Sequence, residues 1–192
     1  MNTYMPLLFQ KRHVLPGGRI PLRIAPGPQM EAFKAALREG SNSFGVCMFD
    51  QDEHGHNFFQ IGTRVTVEDF DISPNNGCLI VTVAGHENFT INHLEQTDEG
   101  FFCGDCQFIP PWPETEVRQD QQILAEKLKQ MFSKHPELGE LHHKKQFDNL
   151  SWLCQRWLEL LPVPASEKQM LLTAPSCLET YDYLISIMQK TH

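Results

Sequence analysis

No apolar run in the sequence approaches the roughly 20 residues that cross a bilayer as a helix, which predicts no membrane span. Basic excess is also missing. Lys and Arg number 16 against 24 Asp and Glu, a formal charge of −8. The first 110 residues hold 7 against 13, so neither end of the chain supplies the basic face that a phosphate backbone demands. Nucleic acid and anionic membrane are therefore not expected partners. Cysteine is too sparse for a disulfide scaffold, with six thiols at 47, 78, 103, 106, 154 and 177. The opening "MNTYMPLLFQKRH" places its basic residues after a short apolar run, the reverse of a secretory signal. These absences predict a cytoplasmic chain with reduced thiols. The phosphate loop G-x-x-x-x-G-K-[ST] is missing too: Lys190-Thr191 lacks the glycines, so no ATP cradle of that type is expected.

Apolar residues at 41% and charged residues at 21% describe an ordinary globular protein. A chain of 192 residues buries roughly 70% of its unfolded surface without staples. The first part reads mainly as strands. "MPLLF" and "IPLRI" are short and apolar, and Pro21 marks the second as an edge or bent strand. "PQMEAFKAALREG" reads as a helix, with Pro28 in its first turn and Gly40 at its stop. "FGVCMF" reads as a buried strand. In "IGTRVTVEDFDI", Ile61, Val65 and Val67 share a face while Phe70 and Ile72 take the opposite parity. That predicts a bulge near Glu68–Asp69. Asn76-Gly77 signals a hairpin turn, and further short strands follow up to Ile109. The spacing predicts a closed or nearly closed antiparallel barrel.

"IPPWPET" breaks the pattern with three prolines in four residues. Helical periodicity follows. Val117, Leu124, Leu128 and Met131 predict a helix to about His135. Leu150, Leu153, Cys154, Trp157, Leu158 and Leu161 form an amphipathic stripe. Ser166 with Gln169 and Ser176 with Glu179 read as capping boxes. Leu178, Tyr181, Leu184, Ile185 and Met188 predict one face of a last helix. The expected fold class is α+β. Residues 1–112 are expected to form a β-barrel subdomain with an early helix, and residues 113–192 a small helical bundle.

The order of these pieces resembles the amino-terminal, substrate-binding domain of Lon proteases. The resemblance rests on Pro6-Leu7, Pro16-Gly17, "PLRI" at 21–24, Gly45-Val46, "IGT" at 61–63, and Gly77, Ile80, Val83, Gly85, Phe89 and Ile91. "EKQMLL" at 167–172 adds to it. It implies a PUA-like barrel and a non-catalytic module that binds polypeptide. The ATPase and the serine–lysine peptidase of full Lon proteases have no counterpart here, so the expectation is a stand-alone form with neither activity. Two departures stand out. Ala25-Pro26-Gly27-Pro28-Gln29 replaces the family's Phe-Glu-Pro-Arg-Tyr, and His86-Glu87-Asn88-Phe89 replaces its basic approach to the last hairpin strand.

Chemistry-bearing residues are few. Cys103-Gly-Asp-Cys106 could bite one zinc, yet a tetrahedral site needs two more ligands and no second C-x-x-C exists. His54, His56, His142 or His143 would have to complete it through folding. Two ordinary thiols in a strand or flanking a turn is the plainer reading. A small zinc- or thiol-dependent enzyme using Cys103 and Cys106 is the alternative function. His142-His143 beside Lys144-Lys145 reads as a solvated loop, and Asp50, Asp52 and Glu53 as solvated acids. No catalytic residue and no cofactor are expected. The binding candidates are Arg23, Phe59, Phe101 and Trp112, lining an apolar groove between barrel and bundle. A strand-addition edge near Ile20 to Ile24 would complement them. Expected partners are unfolded or extended polypeptide, with a protease, a chaperone or a second copy of the chain as further candidates.

Overall fold

The computed structural model describes residues 2–52 and 55–190, with side chains described outside 50–59. Residues 1–110 form one compact unit and residues 111–192 another.

The first unit holds strands β1 (Asn2–Gln10), β2 (Arg19–Ile24), β3 (Ser43–Asp52), β4 (Gly55–Ile72), β5 (Leu79–Gln96) and β6 (Phe102–Phe108), with helix α1 (Pro28–Arg38) between β2 and β3. The sheet order is β2-β5-β4-β3-β1-β6, and a further β5–β6 pairing closes five strands into a ring. Strand β5 is long enough to serve two neighbours on one edge. Residues 79–84 pair with β2, and residues 89–96 pair with β6. The fold is α+β with a closed ring. One expectation is corrected: β1 and β3 run parallel. A parallel pair needs a crossover, and β2 with α1 supplies it.

The expected bulge lies in β4 between Val67 and Asp69. A second register shift sets Thr63–Val65 against Gly85–Asn88 in β5. It places His86 Nε2 2.7 Å from Thr66 Oγ1 and Glu87 2.7 Å from the Arg64 guanidinium. A slip of one residue exchanges sheet faces. Val81 and Val83 accordingly pack in one apolar cluster with Leu8, Val46, Phe33 and Phe44, while Phe89 packs in another with Met5, Leu7, Cys47 and Cys106. Phe89 leaves no room around it: a Cβ on Gly45 or Gly62 would stand 2.7 or 2.6 Å from its Cζ.

The second unit contains α2 (Gln122–Lys134), α3 (Pro136–Glu140), α4 (Leu150–Leu160), α5 (Ala165–Leu172) and α6 (Leu178–Lys190). Asn149 caps α4 by accepting from the Ser151 amide at 3.1 Å. The Trp157 indole donates to Leu124 O at 3.1 Å, tying α4 to α2. Helix α4 is buried on every side over residues 150–158 rather than along one stripe. Arg156 tolerates this because it pairs with Glu159 and lies over the Trp152 ring. Ser166 sits inside the first turn of α5, whose cap position is Pro164, so the expected capping box is absent there. Ser176 does accept from the Leu178 amide, at 3.4 Å. Helix α6 turns in the expected face, with Leu184 buried and Tyr181, Ile185 and Met188 half-buried, except at its start, where Leu178 is 50% exposed and Thr180 is buried instead.

Candidate functional site

A cavity of about 380 Å³ opens in the first unit. Strand β1 contributes Leu7, Leu8 and Phe9. The start of α1 contributes Pro28 and Gln29, and β3 contributes Phe49. The end of β5 and the start of β6 contribute Gln96, Gly100, Phe101 and Phe102. Among the described residues no charged side chain lines it. Such a volume with an aromatic lining matches ligand clefts in general.

Each wall follows from local sequence. Phe9 ends the apolar run of β1, and it meets Phe102 edge to face with ring centroids 5.5 Å apart. Phe101 and Phe102 are neighbours in sequence and therefore point to opposite faces. Phe101 joins the cluster around Phe33 and Phe44, and Phe102 packs on the cluster around Phe89. The turn between β5 and β6 is closed by Gly100, whose φ of 91° favours glycine. Thr97 holds it through its amide, 2.8 Å from Phe101 O, and its hydroxyl, 3.1 Å from the same oxygen. A Cβ on Gly100 would stand 3.6 Å from Pro28 Cγ, so turn and helix start form facing lips. The polar groups of the walls are held by local partners. Gln29 Oε1 accepts from the Gln10 amide group at 3.3 Å and from Ala25 N at 3.2 Å. Gln96 Nε2 donates to Gly100 O at 3.0 Å. The arrangement provides apolar and aromatic contact, with no nucleophile, acid or base among the described lining side chains.

Of the residues expected to bind, Phe101 lines this cavity and is 7% exposed. Arg23 is exposed on β2, which among the described residues pairs with β5 alone and is an edge strand as its proline implied. Trp112 belongs to the second unit, where its indole donates to Ala174 O at 2.9 Å. The side chains of Phe59, Asp50, Asp52, Glu53, His54 and His56 lie outside the described residues. Phe9, Phe49 and Gln29 were missed. The signal for the two aromatics was a phenylalanine closing an apolar strand and followed at once by a polar residue, as in Phe9-Gln10 and Phe49-Asp50.

Cys103 and Cys106 lie within β6 and in different apolar clusters. Burial raises the Cys103 thiol and pushes Cys106 up to about 12, and thiols held protonated are poor nucleophiles and ligands. Among the described residues no group of three or more His, Cys, Asp or Glu is placed to hold a metal ion. His142 is buried rather than solvated: it stacks on Phe132 at 5.7 Å and meets Trp152 edge-on at 5.6 Å, while His143 is exposed. No helix among the described residues is long and apolar enough to cross a membrane.

The family model of the ATP-dependent protease La (LON) substrate-binding domain matches residues 4–190. The crystal structure of the Lon N-terminal domain protein from Xanthomonas campestris is similar at 27% identity and a TM-score of 0.72. The match covers 96% of this chain and 98% of that one. The N-terminal domain of the Mycobacterium avium complex Lon protease shares the fold at 16% identity and a TM-score of 0.67, covering 96% and 97%. No curated protein matches the chain.

Proposed function

The chain belongs to the Lon substrate-binding domain family, and from that premise we propose that it grips unfolded or extended polypeptide without a chemical step of its own. The observation that carries this reading is the cleft walled by Phe9, Phe49, Phe101 and Phe102, with no charge among its described lining residues. Apolar side chains of an extended segment gain transfer free energy there, at about 25 cal/mol per Å² buried. A folded protein keeps such side chains inside and offers little. Selectivity for non-native chains follows from that difference alone. A protease or chaperone that receives the captured segment, in a cytoplasmic setting, completes the reading.

Titration of a labelled, reduced and carboxymethylated protein into the chain tests it by fluorescence anisotropy. The expected result is saturable binding, absent for the same protein in its folded form, and weakened about tenfold by Phe102→Ser. Equal affinity for folded and unfolded forms, or no effect of the substitution, would contradict the reading.

A further inference from the structure

A second apolar surface lies at the far end of β4. Pairing with β3 stops at Thr66, opposite Ser43, while β4 continues to Ile72 against β5. Among the described residues, therefore, residues 68–72 have a strand neighbour on one side only. The bulge at Val67–Asp69 turns Phe70 and Ile72 onto the face of their partners Val81 and Leu79. Those partners belong to or pack on the main core, yet Phe70 is 67% and Ile72 66% exposed. With Leu37 of α1, 40% exposed, Phe70 lines a cavity of about 350 Å³ whose rim also holds Glu68 and Asp69.

The opposite face of the same segment carries Asp69 and Asp71. Each carboxylate accepts from the next amide, Phe70 N and Ile72 N, at 2.8 Å. Alternate amides of an antiparallel strand point to one edge; Ser73 N donates across to Cys78 O at 2.8 Å, so Ile72 N and Phe70 N, of the other parity, face the edge that lacks a neighbour. Charges on an edge strand ordinarily deter pairing. A strand that was only guarded would not also expose two large apolar side chains on its other face.

We propose that this edge accepts an extended polypeptide segment as an added strand, with apolar residues alternating with Lys or Arg. This rests on the polypeptide-binding reading and uses a surface separate from the Phe9–Phe102 cleft. Strand geometry sets the pattern. Every second residue of the added segment lies over Phe70 and Ile72, and those between lie over Asp69 and Asp71. Cations draw the carboxylates off the two amides, which are then released to the carbonyls of the incoming strand. Self-pairing of two copies along this edge would set Asp against Asp, a like-charge arrangement that destabilises a sheet. The charge therefore selects a different, basic chain.

The test uses the full chain and two blocked peptides, Gly-Val-Lys-Val-Lys-Val-Lys-Val-Gly and its counterpart with Glu for Lys, in an anisotropy titration at low salt. The expected result is a preference of about tenfold or more for the Lys peptide, reversed in the Asp69→Lys/Asp71→Lys variant. Phe70→Ser should weaken the Lys peptide about fivefold, and the preference for Lys over Glu should persist in Phe102→Ser, because that cleft residue lies apart from Asp69 and Asp71. Both Asp and Phe70 are exposed, and circular dichroism verifies that the variants fold. Equal binding of the two peptides, a preference that survives charge reversal, loss of the preference in Phe102→Ser, or a dimer dissolved by Phe70→Ser would each overturn the inference. Capture of an unfolded protein without capture of the Lys peptide overturns this inference alone. Capture of neither removes the polypeptide-binding reading as well.

Discussion

Phe9 and Phe102 come from opposite ends of the first unit and meet edge to face, with ring centroids 5.5 Å apart. The contact joins β1 to β6 at the wall of the cleft, so packing and the proposed binding draw on the same two side chains. Edge-to-face pairs contribute about 0.5–1.5 kcal/mol beyond burial. A double-mutant cycle of Phe9→Ala and Phe102→Ala, read by urea unfolding, should return a coupling of that size. Strict additivity would show that the rings do not support one another.

Gly62 is expected to resist any side chain. A Cβ there would lie 2.6 Å from Phe89 Cζ and 2.9 Å from Val46 O. The ring interior has no slack to absorb it, and overpacking of this kind costs about 1–3 kcal/mol. Gly62→Ala should lower the urea midpoint accordingly, and Phe89→Leu in the same chain should restore part of the loss. An unchanged midpoint would contradict the closed ring.

Lys168 supplies a pH signature in the second unit. Burial lowers its pKa from 10.5 to about 8, with Glu159 opposing the shift. Below about pH 8 the ammonium is held in the fold at its full desolvation cost. Between pH 8 and 10.5 the unfolded chain binds more proton than the folded one, so this group's contribution becomes more favourable as pH rises. The stability difference between wild type and Lys168→Met should therefore move in favour of wild type by roughly 2 kcal/mol from pH 7 to pH 10. A difference independent of pH would contradict the assignment.

The Cys103 and Cys106 thiols are expected to hold no zinc, since they belong to separate apolar clusters. Protein purified without chelator should carry far less than one equivalent of zinc by elemental analysis. Cys103→Ser and Cys106→Ser should leave capture of unfolded protein intact. Stoichiometric zinc that disappears in Cys103→Ser would restore the metal-dependent alternative.

Much of the fold was legible because it is local. The parity change between Val67 and Phe70 announced the bulge, Asn76-Gly77 the turn that ends with Gly77 at φ 67°, and Pro28 with Gly40 the limits of α1. What stayed hidden is non-local. The parallel pairing of β1 with β3 depends on where the crossover lays the chain down; closure itself was expected, but that β5 and β6 make it depends on one long strand serving two neighbours. The cleft shows the same division. Phe101 stood out within a Phe pair, but Phe9 and Phe49 join it only because β1 lies beside both β3 and β6. Periodicity also misled where polar residues were paired inside. Arg156 reads as a solvent-facing position until its contacts with Glu159 and Trp152 are seen.

The most direct test of the central claim is amide hydrogen exchange on the full chain with and without a permanently unfolded protein. Bound polypeptide should slow exchange at residues 7–9 and 96–102, and the unfolded protein should be recovered intact by mass spectrometry. Unaltered exchange in those segments, or fragments of the added protein, would contradict a cleft that holds chains and leaves them whole.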